Sequence, residues 1–153
     1  MRQEDGREYM VVERLEDLPE WLPDDALVSF FHHTMKPWND TLEDVRRALD
    51  YAFGRIEGRS GFAILAHSGT RLEGGIAILH TGMGGYVPAN LLLFVAVLPE
   101  LRGQGIGRRL IELAADRCEG DIKLHVEHDN PARRLYERVG FSSKYLEMRY
   151  PNR

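Results

Sequence analysis

Arg102-Gly103-Gln104-Gly105-Ile106-Gly107 sets three glycines at alternate positions beside a cation, directly before a helical pattern. Glycine lets a backbone turn through φ > 0 and approach an anion closely. The first N–H groups of a helix lack internal acceptors and sit at the positive end of its dipole. Together these hold a phosphate group. Two familiar phosphate motifs do not fit: G-x-G-x-x-G requires glycine where this chain has Arg108, and no Gly-Lys-Ser/Thr is present. Further along, Asn130-Pro131-Ala132-Arg133-Arg134-Leu135-Tyr136 leads to Gly140-Phe141. Tyr136 is a phenol able to share or give a proton, and Asn130 or Asp129 can cap the helix that carries it. Arg108, Arg109, Arg133 and Arg134 could reach phosphates. Residues 100–140 hold eight basic and eight acidic side chains, however, so solvated pairs such as Arg108–Glu112 compete with that role.

The Arg-x-x-Gly-x-Gly turn, following an apolar run that ends Val95-Ala96-Val97, and the Asn-led helix with Tyr136 before Gly140-Phe141 resemble the two signatures of the Gcn5-related N-acetyltransferase (GNAT) family. In topology the resemblance covers the whole chain; its specific motifs lie in residues 91–141. It implies a coenzyme A pyrophosphate on the backbone amides of the glycine turn, with Arg102, Arg108, Asn130 and Arg133 nearby. Val95, Ala96 and Val97 would pair with the pantetheine arm and offer an N–H to the oxyanion formed when an amine attacks the thioester. Tyr136 would give its proton to the departing sulfur. One departure stands out: the family spacing puts Asn seven residues before Tyr, where this chain has Asp129. Acetyl-CoA is thus the expected co-substrate and a primary amine the acceptor, with direct transfer in a ternary complex. The proton-removing base stays open among Glu73, His80, His125, Glu127, Glu147 and a water chain, since Leu91, Leu92, Leu93 and Phe94 fill the strand where relatives often place an acid. Met83 and Tyr86 fit either an acceptor pocket or contact with a second copy of the chain. The rival readings are an acyl-CoA-binding domain without turnover and a nucleotide-binding α/β domain.

These groups need positioning elements. Residues 8–15 read as a strand. Residues 26–35 read as a helix capped by Asp24 or Asp25, and a second helix capped by Asp40 or Thr41 reaches residue 53, stopped by Gly54. By resemblance these helices wall off the acceptor. Residues 61–66 and 72–80 form a hairpin, with Gly74-Gly75 marking a bulge or close backbone approach. A glycine-rich loop spans 81–90. Residues 91–98 lack alternation and read as a strand buried on both faces. A helix carries Ile106, Leu110 and Cys118; Ile122, Leu124 and Val126 alternate as a strand. After the Tyr136 helix, residues 141–150 alternate again as a last strand. The order β-α-α-β-β-β-α-β-α-β predicts one α/β domain over residues 1–153, a GNAT-like mixed sheet with splayed central parallel strands.

Apolar content of 43% and charged content of 29% suit a soluble globular chain. Apolar runs fall well short of the ~20 residues needed to cross a bilayer. Residues 1–8 show no apolar leader. A net charge of −4 argues against non-specific nucleic-acid binding. Cys118, the single cysteine, precludes an internal disulfide and suits the cytoplasm. No metal is expected: His32 and His33 are helix neighbours that point apart.

Overall fold

The computed structural model describes residues 6–38 and 40–152. Nine elements follow one another: β1 (Glu8–Val12), α1 (Asp24–Thr34), α2 (Leu42–Ala52), β2 (Ser60–Ser68), β3 (Arg71–His80), β4 (Asn90–Val97), α3 (Ile106–Arg117), β5 (Ile122–Leu124) and α4 (Ala132–Val139). The strands form one mixed sheet in sequence order, antiparallel except for the parallel pair β4–β5. Helices cover both faces. Tyr9, Phe62, Ile64, Ile76, Ile78 and Leu92 meet α3 and Tyr136 on one side. Val12, Ala63, Leu65, Ala77, Phe94 and Ala96 meet α1 and α2 on the other. The expected α/β mixed sheet is therefore formed.

Local chemistry explains the helix limits. Thr41 Oγ1 accepts the Asp44 N–H at 3.1 Å and caps α2. The stripe Val45, Leu49 and Ala52 is buried, while Leu42 in the first turn stays exposed. α1 begins at Asp24, directly after Pro23, so Asp24 and Asp25 lie within its first turn rather than capping it. Their carboxylates still favour the positive end of the helix dipole. The Gly74-Gly75 pair does mark close approach. A Cβ on Gly74 would meet Ala96 O at 3.1 Å and Ile106 Cγ2 at 3.3 Å, and one on Gly75 would meet the Phe31 ring at 2.8 Å. Successive strand residues face opposite ways, so these two glycines let α3 and α1 press on the sheet from either side.

Two register shifts reshape the sheet. Ala77 pairs with Phe94 but Ile78 with Leu92, leaving Leu93 as an extra residue in β4. The consequence is visible in the core. Leu92 faces α3, whereas Phe94 and Ala96, two and four residues on, face α1 and α2. An extra residue inverts the period-two pattern in this way. A similar shift leaves Glu73 unpaired in the β2–β3 ladder.

Residues 91–98 pack on both faces, Leu92 and Val97 in the α3 core and Phe94 and Ala96 in the α1–α2 core, while Leu91, Leu93 and Val95 are only partly buried. Two expectations are corrected. β5 stops at Leu124, short of Val126. Residues 141–150 form no strand: alternation supplies the side-chain pattern of a strand, but pairing with an edge is a separate tertiary event, and this segment joins no ladder.

Candidate active site

The glycine turn leaves β4 through a single 3-10 turn, Pro99–Leu101, and enters α3. Gly103 and Gly105 take φ of +80° and +87°, and nothing lies within 4 Å of where a Cβ would stand on either. Gly105 is the residue before the helix, and no side chain caps the helix start. The first turn of α3 therefore presents backbone N–H groups to an open cradle and contains no acidic residue. That arrangement suits a phosphate oxygen. Gly107 serves packing instead: a Cβ there would meet Leu135 Cδ2 at 3.1 Å. This contact brings α4 against the N-terminal turn of α3, and so sets the helix that carries Tyr136 beside the glycine turn.

Tyr136 is buried, with its ring edge-on to Phe141 at 5.9 Å between centroids. Burial pushes its pKa up to about 12. The phenol thus keeps its proton throughout the physiological range. Asn130 Oδ1 accepts the Ala132 N–H at 2.9 Å, so Asn130 rather than Asp129 caps α4. Asn130 thereby orients the helix that carries Tyr136.

β4 and β5 pair only over Asn90–Ile122, Leu91–Lys123 and Leu92–Leu124. Beyond Leu92 the pairing stops, because β5 itself ends at Leu124, and the bulged Leu93 follows at once. Val95, Ala96 and Val97 then run along a gap that opens toward the glycine turn, their ladder made with β3 alone. Exposed backbone groups on such an edge can pair with an extended amide chain.

Asn90 pins the closed end of that gap, and the sequence reading missed it. It is 1% exposed. Its Nδ2 donates to Glu119 O at 2.8 Å and Asp121 O at 3.2 Å, and its backbone N–H also reaches Asp121 O. His80 Nδ1 lies 2.9 Å from Asn90 Oδ1. With the amide nitrogen committed to carbonyls, that oxygen must accept, so His80 carries its proton on Nδ1. A buried Asn at a strand start carries no distinctive motif, which is why only the fold reveals it.

The remaining residues separate. Arg102 Nε donates to Val97 O at 3.1 Å and one Nη to Thr34 O at 2.7 Å, tying the end of β4 to the end of α1. Its guanidinium is thus engaged in structure, and its neighbours' backbone forms the cradle. Arg108 pairs with Glu112 at 3.6 Å and Arg133 with Glu137 at 3.8 Å, both half-exposed. Exposed pairs of this kind contribute little and yield readily to a better anion. Gln104 is exposed within the turn, while Ile106 is buried beneath it. Among the proposed bases, Glu73 is buried, 2.7 Å from Arg7 Nε and 2.9 Å from Ser68 Oγ. His80 is at the closed end with Asn90, about 20 Å along β4 from Val97. Glu147 is held by Arg149 on the exposed tail. His125 and Glu127 follow β5 directly where the gap opens, and both are exposed. Met83 and Tyr86 are also exposed, in the loop before β4.

Residues 58–143 match the family model described as an acetyltransferase (GNAT) domain. No curated protein sequence matches the chain. Among solved structures, an aminoglycoside N-acetyltransferase in complex with coenzyme A superposes with a TM-score of 0.67 at 12% identity, covering 97% of each chain. A ribosomal-protein-alanine N-acetyltransferase from Brucella melitensis biovar Abortus 2308 gives 0.65 at 18% identity, covering 95% of this chain and 99% of that one. An aminoglycoside acetyltransferase from an uncultured soil metagenomic sample, in complex with sisomicin, gives 0.63 at 14%, covering 97% and 98%. At these identities the structures speak for the shared fold. The family match spans more than half the chain and includes the glycine turn, the β4–β5 gap and Tyr136. The chain belongs to the GNAT family of N-acetyltransferases.

Proposed function

We propose that residues 1–153 act as one domain that transfers the acetyl group of acetyl-CoA to a primary amine by direct attack. One observation carries this reading: the gap between β4 and β5 opens onto the uncapped start of α3, with the helix that carries Tyr136 beside it. The residues fit the co-substrate. The backbone of the turn from Arg102 to Gly107 would hold the pyrophosphate, with Arg108 and Arg133 released from their glutamates to face it. Val95, Ala96 and Val97 would pair with the pantetheine amides. The backbone beside the Leu93 bulge would offer an N–H to charge developing on the carbonyl oxygen. Acetyl-CoA supplies an activated acyl group, so no metal is required of the protein.

Tyr136 is the proposed proton donor to sulfur. A thiol ionises near ~8.5, so complete transfer from a phenol at about 12 runs uphill by roughly three units in the free protein. Tyr136 therefore acts first as a hydrogen-bond donor that stabilises the departing thiolate, and loses its proton only as the sulfur becomes fully basic. For removing the amine's proton, His125 and Glu127 are the best placed of the five candidate side chains, being exposed at the open end of the gap.

The test is thiol release from acetyl-CoA across a panel of amines that includes aminoglycosides and peptides with N-terminal alanine. Turnover with at least one amine is expected. Tyr136→Phe should lower kcat by roughly 100- to 10,000-fold with little change in acetyl-CoA affinity, in the range typical of a lost general acid. Thermal stabilisation by acetyl-CoA without turnover on any amine would favour the silent binding domain instead.

A further inference from the structure

α1 lies along the part of β4 that β5 leaves uncovered. The Phe31 ring rests on Phe94 with 4.6 Å between centroids, and Arg102 holds the carbonyl of Thr34, the last helical residue, together with Val97 O. α2 packs instead on β2 and β3. The flank of α1 turned away from α2 therefore overlooks the gap beside β4. Val28 marks the opposite flank, since it shares a cleft with Leu49 of α2. Residues two apart on a helix are about 200° apart around its axis, which puts Phe30 on the gap side. Phe30 is half-buried and edge-on to Phe31 at 5.7 Å. Leu93, at the bulge, is half-buried against the same core.

The wall that these elements make lacks negative charge. Residues 26–39 contain neither Asp nor Glu, with Lys36 their one Lys or Arg, and residues 87–99 contain no charged side chain. The acids at either end of the first stretch are engaged elsewhere: Asp25 pairs with Arg46 of α2, and Asp40 acts on Arg149. A polycation that leaves water needs several carboxylates to receive it, and this wall has none. An extended peptide needs free backbone groups, and Thr34 O and Val97 O are both taken by Arg102. Across the gap, His125 and Glu127 suffice for one amine.

On the reading of this protein as an acetyltransferase of amines, we infer that the acceptor is a small monoamine with an apolar body, and that Phe30 determines this specificity. The amine approaches the thioester from the α1 side, because Tyr136 and the α3–α4 core fill the other. Its body leaves water by packing on Phe30 and Leu93, and its nitrogen faces the carbonyl beside the bulge. A polyamine or aminoglycoside would bring further ammonium groups against Phe30 and Lys36 with no counter-charge.

The test is thiol release from acetyl-CoA with 2-phenylethylamine, ethylamine, spermidine, an aminoglycoside and a peptide with N-terminal alanine. 2-Phenylethylamine should exceed both ethylamine and spermidine in kcat/KM by roughly 100-fold. Phe30→Asp should raise the KM for 2-phenylethylamine by roughly 10-fold or more and narrow its lead over spermidine, while stabilisation by acetyl-CoA shows that the fold persists. Phe30→Ala, which adds no charge, should raise that KM in the same direction. An unchanged KM in both variants overturns the role of Phe30. Preference for spermidine, the aminoglycoside or the peptide overturns the acceptor class and leaves acetyl transfer standing. If no amine releases thiol, acetyl transfer itself fails, and calorimetry on the CoA-bound protein decides the rest: binding of 2-phenylethylamine that Phe30→Asp abolishes upholds an apolar-amine site, and no binding overturns it.

Discussion

Tyr136 shows how one side chain couples stability to chemistry. Its phenol is raised from 10.0 to about 12 by burial alone. Below pH 10 the folded and unfolded states both keep the proton. Between pH 10 and 12 the unfolded chain loses it while the folded chain does not, so stability falls as pH rises. Two units correspond to roughly 2.7 kcal/mol, most of it lost by about pH 11.5. Urea unfolding of the wild type and Tyr136→Phe at pH 9 and about pH 11.5 checks this: the wild type should lose about 2 kcal/mol more than the variant. An equal loss would mean that the phenol is not desolvated. Tyr136 and the glycines stand out in the sequence by type and spacing, and the structure sets the helix of the one against the turn formed by the others. Arg102 was legible only by position. Its guanidinium, placed near phosphate from the sequence, bonds Val97 O and Thr34 O, carbonyls that come together only after α1 folds onto β4.

At the scale of elements, the gap between β4 and β5 has a bulge and a pin at its closed end. Residues 91–98 showed no alternation because both faces of β4 meet a core. Leu92, Val95 and Val97 pack on one side and Leu93, Phe94 and Ala96 on the other, so each of these positions calls for an apolar side chain. A run of that kind carries no period, and the bulge at Leu93 cannot be read from it. The pin is Asn90, whose amide holds the α3–β5 connector against the start of β4. Asn90→Ala removes that amide and leaves Glu119 O and the His80 ring without their partner, while Asp121 O keeps the backbone N–H of residue 90. A destabilisation of about 3 kcal/mol is expected in denaturant unfolding. Loosening the pin should also close or misalign the gap, so acetyl-CoA should stabilise the variant much less than the wild type. A variant as stable as wild type would show that the connector holds itself. The final strand was misread for the converse reason: residues 141–150 alternate correctly, but pairing with an edge is a separate tertiary event, which local sequence does not encode.

For the molecule as a whole, the two helical layers and the sheet meet at the glycine turn, and ligand binding should be felt there as global stability. A ligand that binds only the folded state at 100 times its Kd adds about 2.7 kcal/mol. For a chain of this size that raises Tm by roughly 8–10 °C. Gly105 separates this effect from packing. Nothing lies within 4 Å of its missing Cβ, so a side chain there displaces no protein atom. It does have to adopt φ +87°, which costs a β-branched residue about 1–2 kcal/mol. It would also occupy the cradle in front of the first turn of α3. Gly105→Val should therefore fold with a modestly lower Tm and lose the acetyl-CoA-dependent rise almost entirely. Gly107→Val, which would press on Leu135 at the α3–α4 contact, should cost more stability in the absence of ligand. Thermal melts of both variants with and without acetyl-CoA distinguish the two roles. If Gly105→Val kept the full rise, the pyrophosphate would have to bind elsewhere, and the open start of α3 would be only a tight turn between a strand and a helix.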